Sequence, residues 1–383
     1  MNIGILLPGF SADETDWAIP VQRDLIRALS HNDDVRVLAL RYPPPHPAYT
    51  LEGAEVHTLG AGQVRGWGRL ALWLRTLNTL SRLHQQRPFH VLHAMWSDET
   101  GLLAAWAGKL LNVPAVTSLA GGELVGFKDI GYGLQRGVFS RWIVRRALEQ
   151  AAAVVVPCDY TARLIMERRL YIPIERVRLI PLGVESSRFQ VSAQAPDTDL
   201  ISAGSLIGVK DHETLLRALA LLPNAPTLRL VGDGPEKPRL QALAEELGIS
   251  PQITFAGAIP YLRMPQEFAR ARIHVLPSRH EGFGMVTIEA AACGLPTVGS
   301  AVGVLADDPA LGISVPPGNA PALANAIRTL LENPAQRQAL GQQAQQRVAM
   351  LYRIEHTAAA LRKLYGSLKP TLTLNPSPSE RGN

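Results

Sequence analysis

Glu281 and Glu289 are the two residues of this 383-residue chain whose setting most requires a chemical explanation. From Gly282 to Ala306 the sequence holds one charged side chain, Glu289, set among Ile288, Ala290, Ala291 and Ala292. A carboxylate in so apolar a helix costs several kcal/mol unless something pairs with it. Either an internal salt bridge or cap satisfies Glu289, or it awaits a ligand hydroxyl. Just upstream, Glu281-Gly282-Phe283-Gly284 leaves a strand and opens the same helix. Glycines at such a turn let backbone N–H groups approach an anion, and the helix N-terminus adds about half a positive charge. In an open α/β sheet, the crevice at that strand end is where ligands bind.

Other constellations carry less. Gly60-Ala61-Gly62 with Gly66 imitates a dinucleotide fingerprint, but it follows the third strand and lacks an acid about 20 residues on to hold a ribose. Asp197-Thr198-Asp199 imitates a metal-binding acid pair at a linker edge and reads as surface. Gly232-Asp233-Gly234-Pro235 is a tight turn able to touch a nucleotide base, without the lysine-serine ending of a P-loop. No spaced His/Cys set for a metal is visible. With two cysteines, Cys158 and Cys293, neither a disulfide framework nor a four-ligand zinc site is available.

The elements that must position these groups follow from hydrophobic patterning. Strand-like runs at 2–8, 34–40, 54–59, 90–95, 114–119 and 153–157 alternate with helical patterns at 19–30, 69–84, 99–111 and 137–150. The pattern restarts at 199–204, 227–232, 253–257, 273–277 and 296–300. Alternating strand and helix implies parallel sheets covered on both sides, here two doubly wound units in tandem. Periodicity fades at 185–197, so the expected domains are 1–190 and 191–350. Helices are expected at 318–332 and 334–349, and a last one at 353–368 that packs back on the first domain. The tail at 371–383 has little to bury and is expected to be disordered. A composition of 46% hydrophobic and 19% charged residues excludes a largely disordered chain. Apolar runs fall short of the ~18–20 residues of a membrane span, and the start lacks a secretory pattern, so the expected compartment is the cytoplasm.

Here the residues resemble a family. Glu281 and Glu289, separated by seven residues around Gly-Phe-Gly, are similar to the paired-glutamate motif of retaining glycosyltransferases of family 4. The resemblance continues in order through residues 181–189, 202–222, 230–249 and 253–278. Residues 93–124 resemble the acceptor-side domain mainly in layout. The family implies a GT-B fold, two Rossmann-like doubly wound domains facing a central cleft, and metal-independent transfer of a sugar from a nucleotide-diphosphate sugar, with no cofactor. It implies that Lys210 neutralises the donor diphosphate, Glu281 binds sugar hydroxyls and Glu289 the ribose. Gly204, Ser205, Gly232, Gly234, Gly282, Phe283, Gly284, Met285 and Val286 would line the donor site. His93, Trp96, Asp98, Gly121, Gly122 and Glu123 fall on the acceptor side, with His93 and Glu123 as catalytic candidates beside Lys210 and Glu281.

Two departures stand out. The family commonly has an arginine where this chain has Ser205, and a histidine before glycine where it has Ala120. They keep two alternatives open: an epimerase or phosphorylase on the same fold, and a non-catalytic nucleotide-sugar binding protein.

Charge suggests a further partner. No acid occurs between Glu55 and Asp98, while Arg65, Arg69, Arg75, Arg82 and Arg87 fall there. Leu70, Trp73, Leu77 and Leu80 make one helical stripe, which suits either packing on the sheet or lying on an anionic membrane surface. The expected acceptor is a glycan or a lipid-linked molecule, with peripheral attachment to the inner membrane face as an option and no role for nucleic acid.

Overall fold

The computed structural model describes residues 1–369 except 17, 169, 171, 192–194 and 224; the expected tail at 371–383 lies outside the described residues. The first sheet contains β1 (Asn2–Gly9), β2 (Asp34–Tyr42), β3 (Tyr49–Leu51), β4 (Ala54–Thr58), β5 (Val91–Ala94), β6 (Ala115–Ser118), β7 (Ala153–Val156) and β8 (Val177–Leu179). Their spatial order is β3-β4-β2-β1-β5-β6-β7-β8. The second contains β9 (Thr198–Ala203), β10 (Leu228–Val231), β11 (Ile253–Gly257), β12 (Ala271–Leu276), β13 (Thr297–Ser300) and β14 (Gly312–Val315), ordered β11-β10-β9-β12-β13-β14. Among the described residues every pairing of these strands is parallel except β3 with β4.

Helices α1 (Pro20–Ser30), α2 (Trp67–Gln86), α3 (Glu99–Leu111), α4 (Val138–Gln150) and α5 (Asp159–Glu167) cover the first sheet. Helices α6 (His212–Ala220), α7 (Lys237–Glu246), α8 (Met264–Ala269), α9 (Met285–Ala292), α10 (Ala320–Glu332) and α11 (Pro334–Leu351) cover the second, and α12 (Ile354–Ser367) follows. Both faces of each sheet are thus buried, which is why the central strands read as unbroken apolar runs rather than alternating ones. In each sheet the strand order reverses once, between β1 and β5 and between β9 and β12. Successive crossovers leave there to opposite faces, and the loops part to form a crevice.

The chain crosses between the domains twice. The Val184 N–H donates to the Tyr352 carbonyl at 2.8 Å, and the Ile354 N–H to the Val184 carbonyl at 3.0 Å, so the crossings are stitched together. Beyond the second crossing, α12 returns to the first domain. Ile354, Ala358, Leu361, Leu364 and Tyr365 are buried in one cluster with Ile3, Ile5 and Leu7 of β1 and Leu25, Ile26 and Leu29 of α1.

Helix α2 departs from its expected orientation. Leu72, Thr76, Leu80 and Leu83 are buried, Trp73 and Leu77 are half-buried, and Leu70 is exposed. The inward stripe includes a threonine because its hydroxyl donates to the Leu72 carbonyl at 2.8 Å and needs no water. Three of the five arginines of this region are tied to the domain. Arg69 approaches Glu99 at 3.4 Å, Arg75 donates to the Leu59 carbonyl at 3.2 Å and Arg87 pairs with Asp34 and Glu55.

Because α12 completes the first domain's core, Leu361→Ala should destabilise the protein by about 2–5 kcal/mol, the usual cost of a buried leucine cavity. Leu221→Ala, at a leucine 57% exposed, should change stability by less than about 0.5 kcal/mol. Urea denaturation of both variants checks the contrast.

Candidate active site

The site forms at the reversal point of the second sheet. From the end of β9, residues 204–211 lead through a single 3-10 turn at Gly208–Lys210 into α6. From the end of β12, residues 277–284 lead into α9. The two loops meet where the Lys210 ammonium donates to Glu281 Oε1 at 2.6 Å, and the Ser278 hydroxyl donates to the same oxygen at 2.6 Å. Both members of the ion pair keep part of their side chains open to solvent.

The glycines bring backbone close to this pair. A Cβ on Gly232 would fall 2.0 Å from the Gly204 carbonyl oxygen, so the ends of β9 and β10 can approach only as glycines. The Gly232 N–H donates to the Gly257 carbonyl and the Gly234 N–H to Asp233 Oδ1, both at 2.8 Å. Ser205 is exposed on the loop. Gly284 has φ 93° and stands at the N-cap of α9, whose first N–H groups lack intrahelical partners by position. Phe283 is buried and Met285 and Val286 are half-buried at that helix start. The Thr287 hydroxyl is fully buried there without a hydrogen-bond partner among the described residues.

Glu289 lies on α9 with the Tyr261 hydroxyl donating to its Oε1 at 3.2 Å. No cation forms an ion pair with it among the described residues, so burial pushes its carboxyl up to about 7. The internal salt bridge that would have made Glu289 purely structural is absent there. The Arg188 guanidinium lies 5.3 Å over the Tyr261 ring and pairs with Asp24 of α1 at 2.6 and 3.0 Å. This line of contacts runs from the first domain to the carboxylate. Arg188, Tyr261 and Thr287 had no signal in the sequence, since their significance depends on partners far away in the chain.

Three acceptor-side candidates have internal duties instead. His93 is fully buried, with Nδ1 2.6 Å from the Tyr365 hydroxyl and Nε2 2.8 Å from the Ser118 hydroxyl. Burial drives its pKa down to about 3, so it is a neutral imidazole held by two internal hydroxyls. Asp98 caps α3 by accepting from the Thr100 N–H at 2.8 Å and the Thr100 hydroxyl at 2.7 Å. Glu123, 1% exposed, accepts from the Ala120 and Gly121 N–H groups at 3.1 and 2.7 Å and braces their loop from within. Burial raises its pKa to about 7.

That braced loop rests on the second domain. A Cβ on Gly282 would sit 2.7 Å from the Ala120 carbonyl, so only glycine permits the contact. His280 Nε2 lies 3.0 Å from the Gly121 carbonyl oxygen, and its Nδ1 lies 3.1 Å from the Tyr160 hydroxyl. The Thr161 hydroxyl donates to the Gly282 carbonyl at 2.6 Å. Gly121, Gly122 and half-buried Trp96 therefore border the same cleft as Lys210 and Glu281. His280 was missed in the sequence, where it stands beside Glu281 with nothing to mark its partner across the cleft.

The comparisons with known proteins agree with this geometry. Residues 19–183 match the model for a glycosyl transferase 4-like domain, and residues 184–347 match the model for glycosyl transferases group 1. The chain is 32% identical over 307 residues to a D-inositol 3-phosphate glycosyltransferase of Mycobacteroides abscessus, covering 73% of this chain and 68% of that one. It is 27% identical over 324 residues to an alpha-D-kanosaminyltransferase of Streptomyces kanamyceticus, covering 79% and 83%. Among solved structures, sucrose-phosphate synthase of Thermosynechococcus elongatus superimposes with a TM-score of 0.80 at 24% identity, over 95% of this chain and 98% of that one. HepE of Anabaena, solved with UDP-glucose, gives 0.74 at 18% identity over 96% and 100%. The chain belongs to the family-4 type of GT-B glycosyltransferases.

The raised pKa of Glu289 makes a prediction with a definite sign. The folded protein binds this proton more tightly than the unfolded chain, so its contribution to stability is complete below the ordinary glutamate range and is lost as pH rises towards 7. Glu289→Gln, which cannot ionise, should raise the melting temperature at pH 8, by an amount on the order of 2 kcal/mol of stability. The difference should vanish near pH 4.5. Equal melting temperatures of mutant and wild type at pH 8 would show that Glu289 is not buried unpaired.

Proposed function

We propose that the protein transfers a glycosyl group from a nucleoside diphosphate sugar to a glycan or lipid-linked acceptor, retaining the anomeric configuration and without metal or cofactor. The observation that carries this reading is the placement of Lys210 and Glu281 at the mouth of α9, with a buried carboxylate, Glu289, that has no ion-pair partner among the described residues further along the same helix. Retention rests on membership of the family.

In the reaction the bond from the anomeric carbon to the diphosphate breaks and one to the acceptor oxygen forms. Charge develops on the departing diphosphate. The Lys210 ammonium and the N–H groups from Phe283 to Val286 supply fixed positive potential for it, which serves in place of a divalent cation. Glu281 orients sugar hydroxyls, and Glu289 with the Tyr261 hydroxyl takes the ribose. His93, Asp98 and Glu123 are engaged inside the first domain, so the departing diphosphate itself is the natural acceptor for the hydroxyl proton. Ser205 leaves Lys210 as the cation of the β9 loop facing the donor.

Product analysis with UDP-glucose and GDP-mannose against a panel of sugar and lipid acceptors tests the reading. Lys210→Ala should lower turnover by about 10²–10³-fold, the typical loss when a charge-stabilising contact at the transition state is removed. Turnover unchanged by this substitution would overturn the site assignment. Donor interconversion with no acceptor consumed would replace glycosyl transfer by epimerisation.

A further inference from the structure

The face built by α2 and α4 exposes aromatic side chains that the packing of the first domain does not use. At the start of α2, Trp67 is 86% exposed, and exposed Leu70 and Leu74 follow at helical spacing on the same side. At the start of α4, Val138, Phe139 and Trp142 are exposed as well. The two helices make one surface. Phe139 stacks on Trp73 of α2 with ring centroids 6.5 Å apart and 9° between planes, and on Trp142 at 5.9 Å and 16°. The Arg69 guanidinium lies 5.0 Å over the Phe139 ring.

Exposed charge around this surface is predominantly positive. Arg65, Arg136, Arg141, Arg145 and Arg146 are exposed. The sequence has no acid between Glu55 and Asp98, and none between Asp129 and Glu149. Glu149 is shared by Arg145 and Arg146 at 2.6 and 3.5 Å, which leaves a net positive charge. Glu99 lies beneath the surface, buried and bound by Arg41, Arg69 and the Trp73 indole N–H. A protein partner presenting charges of both signs would meet a single acid on these two helices, Glu149, whereas a sheet of lipid phosphates complements the exposed arginines. Tryptophan rings beside arginines also match the chemistry of a bilayer's headgroup layer, where an apolar body and a polar edge are both satisfied.

We infer that the α2–α4 face docks the protein on an anionic lipid bilayer, with Trp67, Phe139 and Trp142 entering the headgroup layer and the arginines meeting phosphates. This differs from a stripe on α2 alone, since Leu80 and Leu72 face the sheet and half of the surface comes from α4. The chain runs from Glu123, under the cleft loop, through residues 124–137 directly into α4, so docking sets the acceptor wall of the cleft beside the membrane. Resting on the glycosyl-transfer reading, this points to an acceptor hydroxyl carried on a lipid.

The full-length protein can be floated with vesicles of equal parts phosphatidylglycerol and phosphatidylcholine, or of phosphatidylcholine alone, at low and high salt, with UDP affinity measured in parallel by calorimetry. Flotation is expected with the anionic vesicles and should weaken with salt. Arg65→Gln and Arg141→Gln should each lower partitioning about fivefold. The double variant Trp67→Ser/Trp142→Ser should lower it about tenfold or more. UDP affinity should match wild type in all of them, because these side chains lie outside the donor site. Equal binding to both vesicle types, or to neither, overturns the inference. So does a dimer in sedimentation that the tryptophan variant dissolves while vesicles are ignored, which would assign the face to a second copy. Flotation by a protein that binds neither UDP nor any nucleotide sugar would uphold the docking and sink the donor reading instead.

Discussion

The Lys210 ammonium and the Glu281 carboxylate meet between the loops that follow β9 and β12, and the rest of the site is arranged around that meeting. The strand order reverses there, so the two loops diverge, and the Arg279 N–H donates to the Val209 carbonyl at 2.8 Å across them. With side chains 22% and 12% exposed the pair is largely buried, and losing either partner would leave the other charge uncompensated. Its value is positional. It holds a cation beside the N-terminus of α9, where the helix's own partial charge already has the same sign, so the two potentials add at one point. Glu281 offsets part of that charge. From Gly284, five residues of helical rise carry the chain about 7–8 Å further, to Glu289.

Two buried acids are treated differently by this fold. Asp24 is buried and held by both arms of Arg188 and by Arg27, so its charge is answered in full. Glu289 is equally enclosed but has a phenol where Asp24 has guanidinium groups. Leaving a carboxylate in that condition costs folding energy. Such a cost is characteristic of groups kept for a ligand rather than for the fold. The Arg188–Tyr261 contact joins the two acids and makes the position of the phenol depend on the first domain.

Much of this was legible in the sequence. The strands at 2–8 and 34–40, and those restarting at 199–204, emerge where read, because strands covered on both faces leave continuous apolar runs. Edge strands β3, β8 and β14 were not foreseen, being three or four residues long and only partly buried. Glu281, Glu289 and Lys210 stood out because a charge in an apolar run and a motif in ordered company are local signals. His93 misled for the opposite reason. A polar residue at a strand end reads as facing the cleft, but its partner, Tyr365, lies 272 positions away on a helix that returns from beyond the other domain. His280, Tyr261 and the inward turn of Thr76 were hidden by the same limit, since each is explained by a neighbour or a backbone bond that periodicity does not record.

The return of α12 also dictates an order of assembly. The first domain's sheet is complete by residue 179, yet its core lacks Leu361, Leu364 and Tyr365 until the entire second domain has been synthesised. During translation, the nascent first domain must therefore wait with an apolar groove between α1 and the sheet uncovered and with the imidazole of His93 lacking the Tyr365 hydroxyl. The second domain has no such debt, for its strands and covering helices are contiguous from 198 to 351. The domain emerging later from the ribosome is thus the first able to reach its finished state, and the earlier one is sealed only by the helix that follows it.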